Sequence, residues 1–327
     1  MYLIRGSNKG EKSEKVVVLG GGKGISYLLA GLKDFPLDIT AVITVADNGK
    51  STGKLREEFH IPAVGDVRKV ITSMSGSDEN IKKMLEYRFH TTSDLDGHAL
   101  GNLILTSLLD ITGSLKASIE ELSILLDVKS KILPLTEDEN ITLMGEATDG
   151  SIIEGEEMIT KSPKKIKRLF YKEEPNVLKD VIAAINEADL VLLSMGSLYT
   201  SIFPNLLSKK VIEALDKTKS PIMYVCNIVT QPGETDNFTV SDHVNLINEY
   251  LGEHKLDAVI ASNSPISKEM AEKYACEERK DPVKIDYAVL KSLDVEFIEA
   301  DLLTIADNTL KHHSQKLSSL IFSYLMR

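Results

Sequence analysis

The chain has 327 residues, 43% of them hydrophobic and 27% charged, with a formal net charge of -11. That describes a globular chain able to bury a core in one large domain or two ordinary ones, and it excludes a largely disordered one. The acidic balance excludes a phosphate-backbone binder, so nucleic acid is not an expected partner, although a local cationic pocket for one small anion stays compatible with it.

In chain order, the opening MYLIRGSNKGEKSEK lacks the apolar core of a signal peptide and reads as a polar arm over residues 1–14. Short runs rich in Val, Ile and Leu at 16–19, 39–45, 190–193, 222–226, 258–261 and 295–298 have the length and composition of buried parallel strands. Helix-period segments at 64–74, 79–87, 97–111 and 115–126 form a helical layer between the second and third of them. The expected class is α/β: a Rossmann-like parallel sheet with helices on both faces, as a single nucleotide-binding domain over 15–327.

Between 131 and 174 the texture changes to alternating residues with turn signals (TEDEN, ATDGS) and a basic run, KSPKKIKR. A small antiparallel β insertion fits it, with the basic run as a solvated hairpin face. An amphipathic helix is expected over 310–325. No apolar window approaches the roughly eighteen residues of a membrane span. Cys226 and Cys276 have neither disulfide nor zinc spacing. The expected compartment is the reducing cytoplasm, away from membranes.

Gly20-Gly21-Gly22-Lys23-Gly24 follows the first strand and opens a helix, where backbone N–H groups can reach a phosphate and a Cβ would block the approach. The dinucleotide fingerprint is incomplete. Read from Gly20 its third glycine falls on Ile25, and read from Gly22 on Tyr27. Asp47 ends the second strand, where an acid meets a ribose hydroxyl in Rossmann domains. The ADNGKSTGKLR that contains it is no Walker A loop, because the required first glycine is Thr44. Its Asn48, Gly49, Ser51, Thr52 and Gly53 suit either anionic oxygens or a helix cap, and the residues alone leave both open.

Further polar clusters stand where elements begin: Asp66 with Arg68 in PAVGDVRKV, His98 and Asn102 in DGHALGNL, and Gly196, Ser197, Tyr199, Thr200 and Ser201 in GSLYTS. The densest, CNIVTQPGETDNF, holds Asn227, Thr230, Gln231 and Glu234. Ligands of open parallel sheets bind beyond the carboxyl ends of strands, and four of these polar loops open there.

Taken together, GGGKG, TVADNGKSTGKLR, PAVGDVRKV, GHALGNL, GSLYTSIFPNLL and TQPGETDNF resemble the gluconeogenesis factor family (YvcK-like proteins) of the 2-phospho-L-lactate transferase (CofD) superfamily. The resemblance runs from about Val16 to the chain end. It implies a cytoplasmic protein that binds a nucleotide sugar, with UDP-N-acetylglucosamine expected, and regulates carbon metabolism and cell-wall and cell-shape homeostasis, with no nucleic-acid or membrane partner and a homodimer left open. Carried over by position, it implies ligand contacts from Gly21, Gly22, Gly24, Asp47, Asp66, His98, Asn102, Gly196, Ser197, Tyr199, Thr200, Asn227, Thr230, Gln231 and Glu234; Lys23, Asn48, Ser51 and Thr52 of the two loops join them as candidates of this sequence's own, with Tyr274 and Lys311 at the base or ribose end. This chain departs from the family pattern at Lys23, Asn48, Lys50, Ser194-Met195 and Lys311-His312-His313. Asn48 stands where an acid is usual, which weakens a metal-dependent reaction, and Lys23 and Lys50 add positive charge beside the expected phosphates.

Three functions compete at this stage. The favoured one is a UDP-sugar-binding regulator without a resident metal. The second is a phospholactyl transferase in which Asp47, Asp66 and a magnesium ion position a phosphate. The third, an NAD-dependent enzyme, suffers from the incomplete fingerprint.

Overall fold

The computed structural model describes residues 13–306 and 308–327. The arm expected over 1–14 lies outside the described residues apart from its last two positions, and Glu14 already opens a strand. The first half of the chain runs β1 (Glu14–Gly20), α1 (Gly22–Leu32), β2 (Leu37–Ile43), α2 (Lys50–Phe59), α3 (Gly65–Met74), α4 (Glu79–Glu86), α5 (Leu100–Thr112), α6 (Leu115–Leu125) and β3 (Lys131–Pro134). An antiparallel unit follows, β4 (Leu143–Ala147), β5 (Ile152–Glu154), α7 (Glu156–Lys161) and β6 (Ile166–Tyr171). The remaining strands are β7 (Leu190–Leu193), β8 (Ile222–Val225), β9 (Ala258–Ser262), β10 (Glu296–Ala300), β11 (Leu303–Ala306) and β12 (Thr309–His312), before a last helix at Ser314–Leu325.

Seven strands form one parallel sheet in the order β10-β9-β8-β7-β1-β2-β3. Alternate residues of a strand face opposite sides, so a strand covered on both faces is apolar throughout. β1 shows this directly: Val16 and Val18 join the core beneath α1 and α3, while Val17 and Leu19 join the core on the other face. The chain builds outward from β1 to β3, then returns past β1 to start β7 and builds the other way. That reversal opens a crevice between β1 and β7, the usual ligand position of doubly wound sheets.

Two expectations need correction. The insertion expected from residue 131 starts later, because 131–134 pairs with β2 and extends the parallel sheet, and the antiparallel sheet orders as β5-β4-β6. The terminal helix expected from 310 begins at Ser314, because Thr309–His312 is spent in a hairpin with β11 that turns at Asn308, φ +57. In the insertion the basic run is the solvated face expected of it: Lys164 pairs with Asp149, and Lys167 and Arg168 with Glu146. Among the described residues no helix is long and apolar enough to cross a membrane.

Candidate ligand site

The first glycine loop is built against the β7 loop. Gly22 opens α1 at φ +65, a conformation that only glycine adopts without strain. A Cβ on Gly24 would lie 1.9 Å from the carbonyl oxygen of Met195, so the helix start touches the backbone that follows β7. One expected phosphate donor is already engaged. The Gly22 N–H donates to Asp66 Oδ2 at 2.7 Å, and Lys69 Nζ donates to Asp66 Oδ1 at 2.8 Å. Asp66 therefore acts as an internal anion at the positive end of α1.

The second loop divides its residues between two structural tasks. Asp47 accepts from the Gly49 N–H at 2.9 Å, and its pKa is raised by burial first and by the charge of Asp66 second. Thr52 is buried beside it and its hydroxyl donates to the same carboxylate. Asn48 turns away, and its Oδ1 accepts from the Glu157 N–H at 3.0 Å, so it caps α7 from a distant part of the chain. Asn48→Ala should lower stability by about 1 kcal/mol, as loss of a helix cap does, with faster hydrogen exchange at the α7 amides as the check.

His98 precedes α5 and Asn102 lies in its first turn, and both are buried. They do meet, in a chain of hydrogen bonds. Arg68 Nε donates to Asn102 Oδ1 at 3.0 Å, Asn102 Nδ2 to Ser51 Oγ at 3.2 Å, and Ser51 Oγ lies 3.0 Å from His98 Nδ1. These four residues tie α2, α3 and α5 together, and only Arg68 reaches the cleft described below.

The third and fourth loops lock onto each other. Asn227 clamps one residue from both sides: its Oδ1 accepts from the Gly196 N–H at 2.8 Å, and its Nδ2 donates to the Gly196 carbonyl at 2.7 Å. Ser197 Oγ donates to Glu234 at 2.7 Å and accepts from the N–H of Thr200 at 3.0 Å. Burial drives the Glu234 carboxyl up to about 7, against those hydrogen bonds. The Tyr199 hydroxyl points inward to the Ile166 carbonyl. Thr230 exchanges two hydrogen bonds with Asp281, and Gln231 shapes the turn through its backbone, its N–H bonding Thr235 Oγ1 at 2.8 Å. Most of these polar residues hold the loops rather than face solvent, because a buried polar group needs a partner.

Beside the first glycine loop and Met195 lies a cleft of about 770 Å³ between α1, α3, the segment after α4 and the β11–β12 hairpin. Five cations line it, Lys23, Arg68, Lys69, Arg88 and Lys311, against one acid, Glu86. Tyr27 and Met195 give it apolar surface. Lys23, Gly24 and Lys311 all line it. Tyr274 is not among its lining residues; it is buried and its hydroxyl accepts from the Leu310 N–H at 2.7 Å, propping the hairpin that carries Lys311. His312 is buried at the same wall and bonds the Cys226 carbonyl at 3.1 Å, with burial lowering its pKa to about 4.

Two residues escaped the sequence analysis. Arg88 carries no motif. Glu156 opens α7 behind Gly155 and, with Thr200 as a hydrogen-bond partner, is pushed up to about 7 by burial first and by Asp47 second. Its only signal was a glycine before an acid at a helix start inside the insertion. For the magnesium of the transferase alternative, Asp66 accepts from the Gly22 N–H and from Lys69, and among the described residues no group of three or more Asp, Glu, His or Cys side chains is placed to hold a metal ion.

A doubly wound sheet with glycine and hydroxyl loops at its switch point, and a cationic cleft beside them, defines a Rossmann-like α/β protein. A family model for the 2-phospho-L-lactate transferase CofD matches residues 16–303. The gluconeogenesis factor of Halalkalibacterium halodurans is 42% identical over 311 residues, spanning 95% of this chain and 96% of that one. That of Bacillus subtilis is 39% identical over 312 residues, spanning 95% and 98%. A crystal structure of a UPF0052 family member from Bacillus halodurans is similar at a TM-score of 0.91 and 41% identity, over 94% of this chain and 99% of that one. The chain belongs to the CofD family, in its gluconeogenesis factor branch.

Proposed function

We propose that this protein binds a nucleotide sugar, UDP-N-acetylglucosamine foremost, and reports its supply to carbon metabolism and cell-wall homeostasis in the cytoplasm. The observation that carries this reading is the charge of the cleft: five cations gather in a protein of net charge -11, in a volume within the range of small-molecule sites. A diphosphate is the anion that such a cluster suits. Asp66, the acid behind the first loop, is paired with Lys69. Signalling requires that the ligand favour one state of the protein over another, and the hairpin carrying Lys311 is the element best placed to respond.

Transfer chemistry is the weaker reading, since Asp66 is committed to α1 and Asn48 to α7. Titration calorimetry with UDP-N-acetylglucosamine should give saturable binding without turnover. Lys23→Ala should weaken it about tenfold, the lower end for a hydrogen bond to a charged group, and raised salt should weaken it in the same direction. A heatless titration across uridine nucleotides sinks the proposal.

A further inference from the structure

Asn48-Gly49 is the only Asn-Gly pair in the sequence. Such a pair is chemically labile, because a glycine puts no side chain in the way when its nitrogen attacks the amide carbon of the asparagine before it and closes a five-membered ring. Asparagine counts among the thermolabile residues. Three features of this fold bear on that reaction.

The Gly49 N–H donates to Asp47 Oδ1 at 2.9 Å, so a carboxylate already holds the proton that the attacking nitrogen must lose. On the other side of the amide, the Glu157 N–H donates to Asn48 Oδ1 at 3.0 Å, where negative charge collects as the carbon becomes tetrahedral. The amide nitrogen lies against Gly155, where an added Cβ would stand 2.4 Å from Nδ2. Asn48 and Gly155 both line a hollow of about 440 Å³ between α2 and the insertion, through which ammonia can leave and water can enter. Nucleophile, base, oxyanion donor and exit thus come from four parts of the chain that only the fold brings together.

We propose that the second loop is a self-modification site, at which the fold deamidates its own Asn48. The Gly49 nitrogen bonds to Asn48 Cγ while its proton passes to Asp47, and the Glu157 N–H holds the charge that develops on Oδ1. The Cγ–Nδ2 bond then breaks, and Nδ2 leaves as ammonia with the proton returned by Asp47. One water opens the resulting succinimide at either carbonyl and gives aspartate or isoaspartate. Amide plus water becomes acid plus ammonia, with no oxidant or cofactor. Aspartate keeps an acceptor for the Glu157 N–H and adds a negative charge beside Asp47. Isoaspartate routes the main chain through the side-chain carbon and lengthens the loop ahead of α2, so the loop changes as the molecule ages.

The test is peptide mapping by mass spectrometry, with isoaspartate counted by enzymatic methylation, on protein held at neutral pH. Folded wild-type protein should convert Asn48 about a hundredfold faster than the same chain unfolded in urea, the lower end of what a positioned base contributes. Asp47→Ala should remove that advantage. Gly49 has φ -81 and only Asp47 Oδ1, at 3.4 Å, near an added carbon, so Gly49→Ala should keep the fold and slow conversion in the folded and unfolded chains alike. Folded wild-type protein that converts no faster than the unfolded chain overturns the proposal, as does an Asp47→Ala protein that melts like wild type and converts at the wild-type rate. Where Asp47→Ala fails to fold, the comparison of folded with unfolded wild type decides alone.

Discussion

Gly24→Ala should destabilise the protein by about 3 kcal/mol and abolish ligand binding in the cationic cleft. The new Cβ would meet Met195 backbone atoms, its oxygen at 1.9 Å and its carbonyl carbon at 2.7 Å. Neither can rotate away as a side chain would, so α1 must move off the β7 loop. That movement separates Lys23 from Met195, both of which line the cleft, and breaks the core contacts that Ile25 and Leu28 make below. Gly97→Ala is the control. It sits at φ +75 with nothing within 4 Å of the added carbon, so its loss is only the conformational penalty of about 1 kcal/mol, and binding should survive. Thermal melts and a titration of each variant decide the matter; equal melting temperatures for the two would refute the packing account of Gly24.

Glu234→Gln should change how stability depends on pH. The ordinary glutamate value is 4.5, and burial raises it in the fold to about 7. Between those values the folded chain holds a proton that the unfolded chain has released, so folding takes up a proton and stability falls as pH rises through the window. Below about 4.5 the contribution is fully present, and above about 7 it is lost. At 1.36 kcal/mol per unit this spans about 3 kcal/mol. His312 acts in the opposite sense: its pKa is lowered from 6.5 to about 4, so its contribution is lost as pH falls through that interval. The whole curve mixes both, and only the difference between variant and wild type isolates Glu234. That difference should move in favour of glutamine from pH 4.5 to 7 and stay level above. A difference independent of pH would show that Glu234 is ionised throughout.

Much of the architecture was legible because burial on two faces leaves a period-free apolar run that needs no context to recognise. The six strands expected from such runs all occur in the sheet, and β3 was missed because KILP is too short and too close to turn-rich sequence to stand out. The glycine loop was legible for a similar reason, since close backbone approach leaves no other residue type. The hairpin at 303–312 was not, because LTIA and TLKH fit either a strand or a helix start and only their mutual pairing decides.

The candidate site divides along the same line. Chain order and residue type alone determined the doubly wound class, the gathering of polar loops at one sheet edge, and the presence of Lys23 beside the first of them. Tertiary structure decided which polar groups remain for a ligand. Asp66, Asn48, His98 and Asn102 look outward in a one-dimensional pattern, yet each is consumed by a partner far along the chain, at Gly22, Glu157, Ser51 and Arg68. The physical reason is that a buried donor or acceptor must be satisfied wherever a partner falls within about 3 Å, and that distance is a property of packing, not of sequence separation.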